Sequence, residues 1–251
     1  MTRVLAFANQ KGGVAKTTSA LSIAVGLSEL GKRVLAVDLD PQGALTFSSG
    51  VDPDSLSETV NDVLTRRLPL EKVMVEREVD LIPANIDLAG GEAVLLSKTG
   101  REYVLQRALR EIADPYDYVV IDCPPSLGIL TINGLTAAHE VVIPLQCEAL
   151  SHRGVGQLLE TMEDIRNFTN PSLRVNGVIP TLYDGRSRHA REVLSDVGGR
   201  YDLNVFDPPI KKSIRFAEAS QAGKSLLAFA PKHPAAEAYR EHARRIDASH
   251  E

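Results

Sequence analysis

A short apolar run, from Val4 to Ala8, leads directly into a glycine-containing loop that opens a helical pattern. The loop and the first helical residues read Asn-Gln-Lys-Gly-Gly-Val-Ala-Lys-Thr-Thr over positions 9–18. Paired glycines let backbone N–H groups curl around an anion, and a helix beginning there adds partial positive charge. A strand, a phosphate-sized loop and a helix in this order predict a nucleoside-triphosphate site at the edge of an α/β sheet.

Residues of this loop have distinct expected roles. Lys16 reaches the outer phosphates, which makes it a catalytic candidate, and the Thr17 hydroxyl is expected to bind Mg²⁺. Gln10 and Ala15 stand where the ordinary pattern G-x-x-x-x-G-K-[ST] has glycine. The alternative is a Gly-Gly turn that carries lysines by chance. The residues expected to bind ATP here are Lys11, Gly12, Gly13, Val14, Ala15, Lys16, Thr17 and Thr18.

Composition is that of an ordinary globular protein. The chain has 251 residues, of which 43% are hydrophobic and 24% charged. No apolar run approaches the ~18 residues of a membrane span, and the first residues do not read as a signal peptide. Cys123 and Cys147 form no C-x-x-C pair. A reduced, cytoplasmic location is the simple expectation.

Charge is distributed unevenly along the chain. The net charge is −5, yet residues 183–248 hold 12 Lys and Arg against 9 Asp and Glu, which gives +3 there and −8 in the remainder. A basic C-terminal third on an acidic body can bind an anionic polymer through one face. Composition alone favours the simpler interpretation, an ordinary solvated helix surface.

Apolar, strand-like runs alternate with longer helical patterns, which predicts a three-layer α/β/α fold with a mostly parallel central sheet. After the run at Val4–Ala8, the predicted strands are 34–37, 80–83, 118–121, 141–144, 175–180 and a last one at 203–206. The predicted helices are 16–30, 101–112, 155–168, 188–197 and 235–246. Without a linker or repeat, a single domain over residues 1–251 is expected.

Three aspartates follow predicted strands and are expected at one rim of the sheet. Asp38 and Asp40 alternate on an extended segment, so their side chains point the same way. Asp38 is expected to support Mg²⁺ through water, and Asp40 to position the attacking water as a catalytic residue. Asp122 ends the strand at 118–121 and is expected to hold the metal opposite Thr17. Asp-Pro turns at strand ends are the alternative.

These motifs together resemble the ParA/MinD ATPases, a P-loop class with a deviant Walker A loop of the form K-G-G-x-x-K-[ST]. The loop at 9–18, the segment D-L-D-P-Q at 38–42 and the segment D-C-P-P at 122–125 carry the resemblance. Further similar segments are 143–148, 180–186 and 213–220. The likeness is to the small chromosomal ParA/Soj branch. It implies a slow, Mg²⁺-dependent ATPase that is stimulated by DNA and a protein partner.

The resemblance gives Lys11 a role of its own. In this family the equivalent lysine crosses a dimer interface and touches the ATP of the partner, as an arginine finger does. ATP would then be required for a homodimer, and hydrolysis would dissolve it. Lys211 and Ser213 fall in the segment that frames adenine. The family often has proline and asparagine at these two positions.

The resemblance also implies binding to nonspecific DNA and a ParB-like partner that stimulates hydrolysis, with the protein associated with the nucleoid. It places DNA contacts at Arg186 and Arg215. A surface ion pair is the alternative for each arginine. Cations that would add to this face are Arg188, Arg191, Lys211, Lys212 and Lys224.

Three other branches fit less well. The last residues lack the bulky apolar face of a membrane-targeting tail, so membrane attachment as in MinD is not expected. Iron–sulfur relatives need paired cysteines. A branch with an N-terminal helix-turn-helix domain needs more residues before the loop. A functional alternative stays open: a ParA-like protein that controls a protein interaction through its bound nucleotide, with weak ATPase activity.

Overall fold

The computed structural model describes residues 2–112, 114–148 and 151–249. In those residues, one sheet of parallel strands has the order β3-β2-β4-β1-β5-β6, with β1 near its centre. Every residue of β1, β2 and β4 is buried, as expected where helices cover both faces of a parallel sheet. The strands are β1 (Arg3–Phe7), β2 (Val34–Asp38), β3 (Asp80–Ile82), β4 (Tyr118–Asp122), β5 (Glu140–Gln146) and β6 (Arg174–Thr181).

Helices connect the strands and follow the last one. Two 3₁₀ turns, Pro53–Ser55 and Arg101–Tyr103, accompany them. The helices are α1 (Lys16–Glu29), α2 (Ala44–Ser48), α3 (Val60–Arg66), α4 (Leu70–Val73), α5 (Asp87–Leu96), α6 (Val104–Ile112), α7 (Ile129–Ala137), α8 (Ser151–Phe168), α9 (Arg188–Tyr201), α10 (Arg215–Gln221), α11 (Leu226–Phe229) and α12 (Pro234–Ala248).

Alternation along the strands builds two cores, one on each face of the sheet. Val4 and Ala6 of β1 pack with α3 to α9. Leu5 and Phe7 pack on the other face with α1, α2, α11 and α12. The expected three-layer α/β/α architecture is therefore confirmed, and its strand ends bring the predicted site residues to one rim.

Two predicted elements differ in the structure. Residues 203–206 are not a strand, because only Val205 forms a bridge, with Val178 of β6. Pro208 and Pro209 follow and supply no N–H to extend the pairing. The helix predicted from Arg101 becomes α-helical only at Val104. Asn133 of α7 stabilises this start, accepting from Leu105 N at 3.1 Å and donating to Arg101 O at 2.8 Å.

The structure also bears on membrane crossing. None of the helices in the described part of the chain is both long enough and apolar enough to span a bilayer.

Candidate nucleotide site

Two side chains anchor the loop between β1 and α1, and neither had a role in the sequence analysis. Asn9 donates to Pro144 O at 2.7 Å and accepts from Lys11 N at 3.0 Å. Thr181, at the end of β6, donates to Val14 O at 2.8 Å. Both side chains are buried. The loop is thus fixed to the ends of β5 and β6. The sequence signal that could have indicated Asn9 and Thr181 is that each is a polar residue at the end of an apolar strand.

The backbone of this loop turns through left-handed conformations at two positions. Gly13 has φ +74°, and Gly12 and Gly13 have open space where a Cβ would be. Ala15, the residue before α1, has φ 59° and ψ 35°. A methyl group in this region costs about 1–2 kcal/mol, which glycine avoids. Ala15, which stands where the ordinary P-loop pattern has glycine, is therefore a position whose backbone conformation favours glycine.

Replacing Ala15 with glycine is expected to raise the free energy of unfolding by about 0.5–1 kcal/mol. Relief of the left-handed strain, about 1–2 kcal/mol, exceeds the entropy that glycine adds to the unfolded chain. Urea denaturation of nucleotide-free protein measures the change. The matched control is Ala20→Gly inside α1, which should destabilise instead because glycine lowers helix propensity. Equal destabilisation by both substitutions would contradict the argument.

Lys16, Thr17 and Asp122 lie together beneath the loop. Thr17 Oγ1 donates to Asp122 Oδ2 at 2.6 Å. Lys16 is only 7% exposed and lies close enough to lower the pKa of Asp122 by its charge. Asp122 is completely buried, and its Oδ1 has no hydrogen-bond partner among the described residues. An unpartnered carboxylate oxygen beside a threonine hydroxyl fits the oxygen ligands that Mg²⁺ prefers, with phosphates supplying the others. Thr18 follows, partly exposed.

Asp38 lies beside Asp122 on the neighbouring strand. Its Oδ2 accepts from Thr46 N and Thr46 Oγ1 at 2.9 and 2.8 Å, and its Oδ1 accepts from Asp40 N at 3.1 Å. Burial, followed by the charge of Asp122, raises the pKa of Asp38 to about 7. Both carboxylate oxygens of Asp38 therefore accept hydrogen bonds from the segment between β2 and α2 and the start of α2. Support of a metal through water stays a prediction.

Asp40 lies at the rim, 8% exposed, and is shaped by its own turn. Its Oδ1 accepts from Gln42 N at 3.0 Å and its carbonyl from Gly43 N at 2.9 Å. Its charge acts to raise the pKa of Asp122, which places the two carboxylates near one another. The structure thereby brings Lys16, Thr17, Asp40 and Asp122 together, as the strand-end argument predicted.

Asp122→Asn is expected to gain stability relative to the wild type as the pH of the nucleotide-free, chelator-treated protein rises from 5 to 8. Burial raises the pKa of Asp122 from 3.8 to about 6. A raised carboxyl pKa contributes stability that is present below 3.8 and lost as the pH rises through about 6. Asparagine does not titrate at this position. The free energy of unfolding of the variant, relative to that of the wild type, should therefore rise by roughly 1–2 kcal/mol from pH 5 to pH 8. Denaturant unfolding at both pH values measures this, and a pH-independent difference would contradict it.

Lys11 stands at the mouth of the loop. Its side chain is 40% exposed and its Nζ forms an ion pair with Glu148, just beyond β5. Glu148 also accepts from Gln146 Nε2 at 2.6 Å. Glu148 lies in the family-like segment 143–148, but no role for it was predicted from the sequence. The pairing places the Lys11 ammonium group beside the end of β5, at a partly exposed position.

The adenine candidates lie on a neighbouring segment. Lys211 is exposed, and its backbone forms an isolated β-bridge with Tyr183, which follows β6. Ser213 Oγ lies 3.3 Å from His233 Nε2 and accepts from Arg215 N at 3.2 Å. The hydroxyl is therefore used to cap the start of α10. A contact of Lys211 or Ser213 with adenine stays a prediction.

The two DNA candidates lie on neighbouring segments, Arg186 in the loop between β6 and α9 and Arg215 at the first residue of α10. Arg186 is exposed, and its backbone N–H donates to Asp184 Oδ1 at 3.0 Å. Arg215, 55% exposed, forms an ion pair with Glu218 at 2.8 Å. The bridge between Tyr183 and Lys211 joins the two segments, since Tyr183 N also donates to Ile210 O at 2.9 Å. Arg188 pairs with Glu192 at 2.9 Å. Other cations on this side are exposed, namely Arg191, Lys211, Lys212 and Lys224.

Comparison with known proteins shows the family of the chain. The AAA_31 family model, an AAA domain, matches residues 2–175. Soj from Bacillus subtilis strain 168, a sporulation initiation inhibitor protein, is 38% identical over 99% of this chain and 100% of its own. The chromosome partitioning protein ParA from Caulobacter vibrioides is 41% identical over 97% of this chain and 93% of its own.

A solved structure is similar over the same extent. Cobyrinic acid a,c-diamide synthase from Mycobacterium smegmatis, with bound ADP and magnesium, is 54% identical with a TM-score of 0.87. The match covers 97% of this chain and 93% of that one. The fold, the deviant phosphate loop and these near-full-length relatives agree: the chain belongs to the ParA/MinD family of P-loop ATPases.

Proposed function

We propose that this protein is an ATP-dependent dimerising switch that binds nonspecific DNA and acts with a ParB-like partner in partitioning or positioning of cargo. The observation that carries the proposal is Lys11, whose partly exposed side chain pairs with Glu148 beyond β5. A lysine in that position is suited to neutralise charge in a second copy. ATP and Mg²⁺ are proposed as substrate and cofactor, as ADP and magnesium occur in the Mycobacterium smegmatis relative.

In the proposed mechanism, the loop binds the phosphates and Lys16 neutralises the outer ones. Thr17 and Asp122 are the residues that would hold Mg²⁺, which offsets charge on the phosphates. Asp40, at the rim, orients the attacking water and accepts its proton. Asp38 holds the turn that carries Asp40 through the Asp38 Oδ1 contact with Asp40 N at 3.1 Å. Lys11 from the second copy completes the charge around the transferred phosphoryl group.

DNA binding in this proposal depends on dimerisation. Arginine and lysine contacts to phosphates supply affinity without reading sequence. One copy presents few cations, and Arg215 is already paired with Glu218. Two copies on one duplex bind with greater avidity than either copy alone. ATP would thus control DNA occupancy, and hydrolysis would release the protein.

Arg215→Glu is expected to weaken ATP-dependent binding to double-stranded DNA at least tenfold while leaving the ATP-dependent dimer intact. The change removes a cation and adds an anion beside Glu218, so two carboxylates face the phosphates. Filter retention of a duplex at two salt concentrations measures affinity, and light scattering measures the dimer. The matched control is Arg244→Glu on α12, a half-exposed arginine that also pairs with glutamates. Equal loss in both variants would contradict a DNA face at Arg215.

The alternative within the family is a switch with weak ATPase activity that controls a protein interaction. The strained Ala15 favours it, because left-handed strain in the phosphate loop can slow turnover. Phosphate release with and without DNA and a ParB-like protein separates the two. ATP binding without turnover under every condition would favour this alternative.

A second candidate is a ligase that uses ATP to activate a carboxylate. The name of the 54%-identical Mycobacterium smegmatis protein favours it. Against it, burial raises the pKa of Cys123 to about 12 and that of Cys147 to about 11, so neither thiol is suited to release ammonia from glutamine. The discriminating test is whether cobyrinic acid or double-stranded DNA stimulates ATP consumption. Stimulation by cobyrinic acid alone would replace the switch proposal.

A further inference from the structure

A cleft of about 240 Å³ lies between the end of α3, the turn after α5 and the outer side of α6. Its floor is apolar, and its wall carries three cations and one carboxylate. None of the phosphate-loop residues contributes to it. The lining residues that the argument uses are Arg67, Lys98, Arg107 and Glu111 around a floor that includes Val63 and Ala108.

Two of the three cations have no partner among the described residues. Arg67 and Arg107 form no ion pair and no side-chain hydrogen bond with any residue in the ranges 2–112, 114–148 and 151–249. Arg66, the neighbour of Arg67, does form one, with Asp62 at 3.2 Å. The net charge of the lining is +2 when Glu111 is included. Unpaired guanidinium groups around a concave site favour an anion.

The third cation is held in place from below. Lys98 Nζ donates to Leu64 O at 3.0 Å and to Thr65 O, at the carboxyl end of α3. An ammonium group has three donors, so one remains for a ligand. The charge of Lys98 is thereby fixed at the cleft rather than extended into solvent.

Both arginines line the cleft, and the backbone near each is in a left-handed conformation. Arg67 ends α3 with φ 59°, a left-handed conformation that costs an arginine about 1–2 kcal/mol. Gly100 has φ +65°, and a Cβ there would lie 3.1 Å from a terminal nitrogen of Arg107. The absence of a side chain at Gly100 leaves room for the Arg107 guanidinium.

We infer that this cleft is a second ligand site, distinct from the nucleotide loop, for a small dianion such as a phosphate monoester or a short dicarboxylate. A volume of 240 Å³ corresponds to about eight water molecules, which suits a compact ligand rather than a nucleotide. The apolar floor favours a ligand with a short carbon chain over a bare ion. The charge of +2 matches a dianion, and Glu111 disfavours larger anions.

Titration calorimetry on protein saturated with ADP and Mg²⁺ tests this site, because the phosphate loop is then filled. The titrants are glycerol 3-phosphate, inorganic phosphate, succinate and, as the uncharged control, glycerol. Glycerol 3-phosphate should bind, glycerol should not, and Arg107→Gln and Arg67→Gln should each weaken binding about tenfold or more. Arg110→Gln, on the same helix but outside the cleft, should change affinity by less than about twofold.

Each outcome decides the inference. Binding of succinate alongside the phosphates supports a general dianion site. Equal affinity for inorganic phosphate would contradict the contribution of the apolar floor and leave free phosphate as the ligand. Absence of binding by all three anions up to about 10 mM overturns the inference. So does an unchanged affinity in Arg107→Gln with ADP affinity and circular dichroism at wild-type values.

Discussion

Asp40→Ala is expected to lower ATP turnover by about 10²–10⁴-fold while leaving ATP binding intact. Asp40 is the rim carboxylate, 8% exposed, and no cation forms an ion pair with it among the described residues. Removing it takes away the group proposed to accept the proton of the attacking water, but none of the residues proposed to bind phosphate. Because hydrolysis would then no longer dissolve the dimer, the variant should accumulate as a dimer with ATP. Phosphate release and light scattering measure the two effects.

A second substitution, Asp40→Asn, separates the loss of the catalytic carboxylate from damage to the local structure. Asp40→Asn keeps an oxygen that can accept from Gln42 N, the contact made by Oδ1 at 3.0 Å in the wild type. It should therefore lose turnover as Asp40→Ala does, since the charge is what matters. Asp54→Ala, an exposed aspartate in the following 3₁₀ turn, serves as the control and should keep wild-type turnover. Turnover restored by asparagine, or a variant that stays monomeric with ATP, would contradict the proposed role.

Local patterns in the sequence were enough to predict most of the sheet and the phosphate loop. The strand at 118–121 and the carboxylate that follows it needed only an apolar run and the rule that ligands lie beyond the carboxyl ends of parallel strands. Those signals are local in the sequence, so they can be recognised without knowing which strands are neighbours in the sheet. The 203–206 segment is apolar in the same way, but no local pattern indicates which strand it would pair with. Two prolines at its end limited it to one bridge.

The anchors of the site depend on contacts between distant parts of the chain. Thr181 reaches Val14 across 167 positions, and Glu148 reaches Lys11 across 137. No periodicity or composition signal joins such pairs, because each depends on which strands are neighbours in the finished sheet. The left-handed backbone at Ala15 is a different case, because the glycine of the ordinary loop pattern pointed to it while alanine itself disfavours positive φ. Sequence therefore predicted which residues meet at the site, and the structure added the contacts that hold the loop in place.

Lys11→Ala is expected to lower ATP turnover by about 10³–10⁵-fold, the range for a charge supplied in trans to a phosphoryl-transfer site. Glu148→Gln is the matched variant, because it breaks the same ion pair but keeps the lysine. An exposed ion pair contributes at most about 1 kcal/mol, so Glu148→Gln should change turnover by less than about fivefold. If Lys11 served only to pair with Glu148, both variants would show the same small effect. Steady-state phosphate release at saturating ATP measures the contrast.

A mixture of two inactive variants decides whether Lys11 acts within its own copy or across a dimer. The Lys11→Ala copy keeps Asp40, and the Asp40→Ala copy keeps Lys11, so each mixed dimer would hold one complete site. In an equal mixture, half of randomly formed symmetric dimers are mixed, which allows up to about a quarter of wild-type turnover. If Lys11 acts on its own nucleotide, no mixed dimer contains a complete site. Turnover of the mixture would then stay at the sum of the two variants, and the dimer proposal would have to be abandoned.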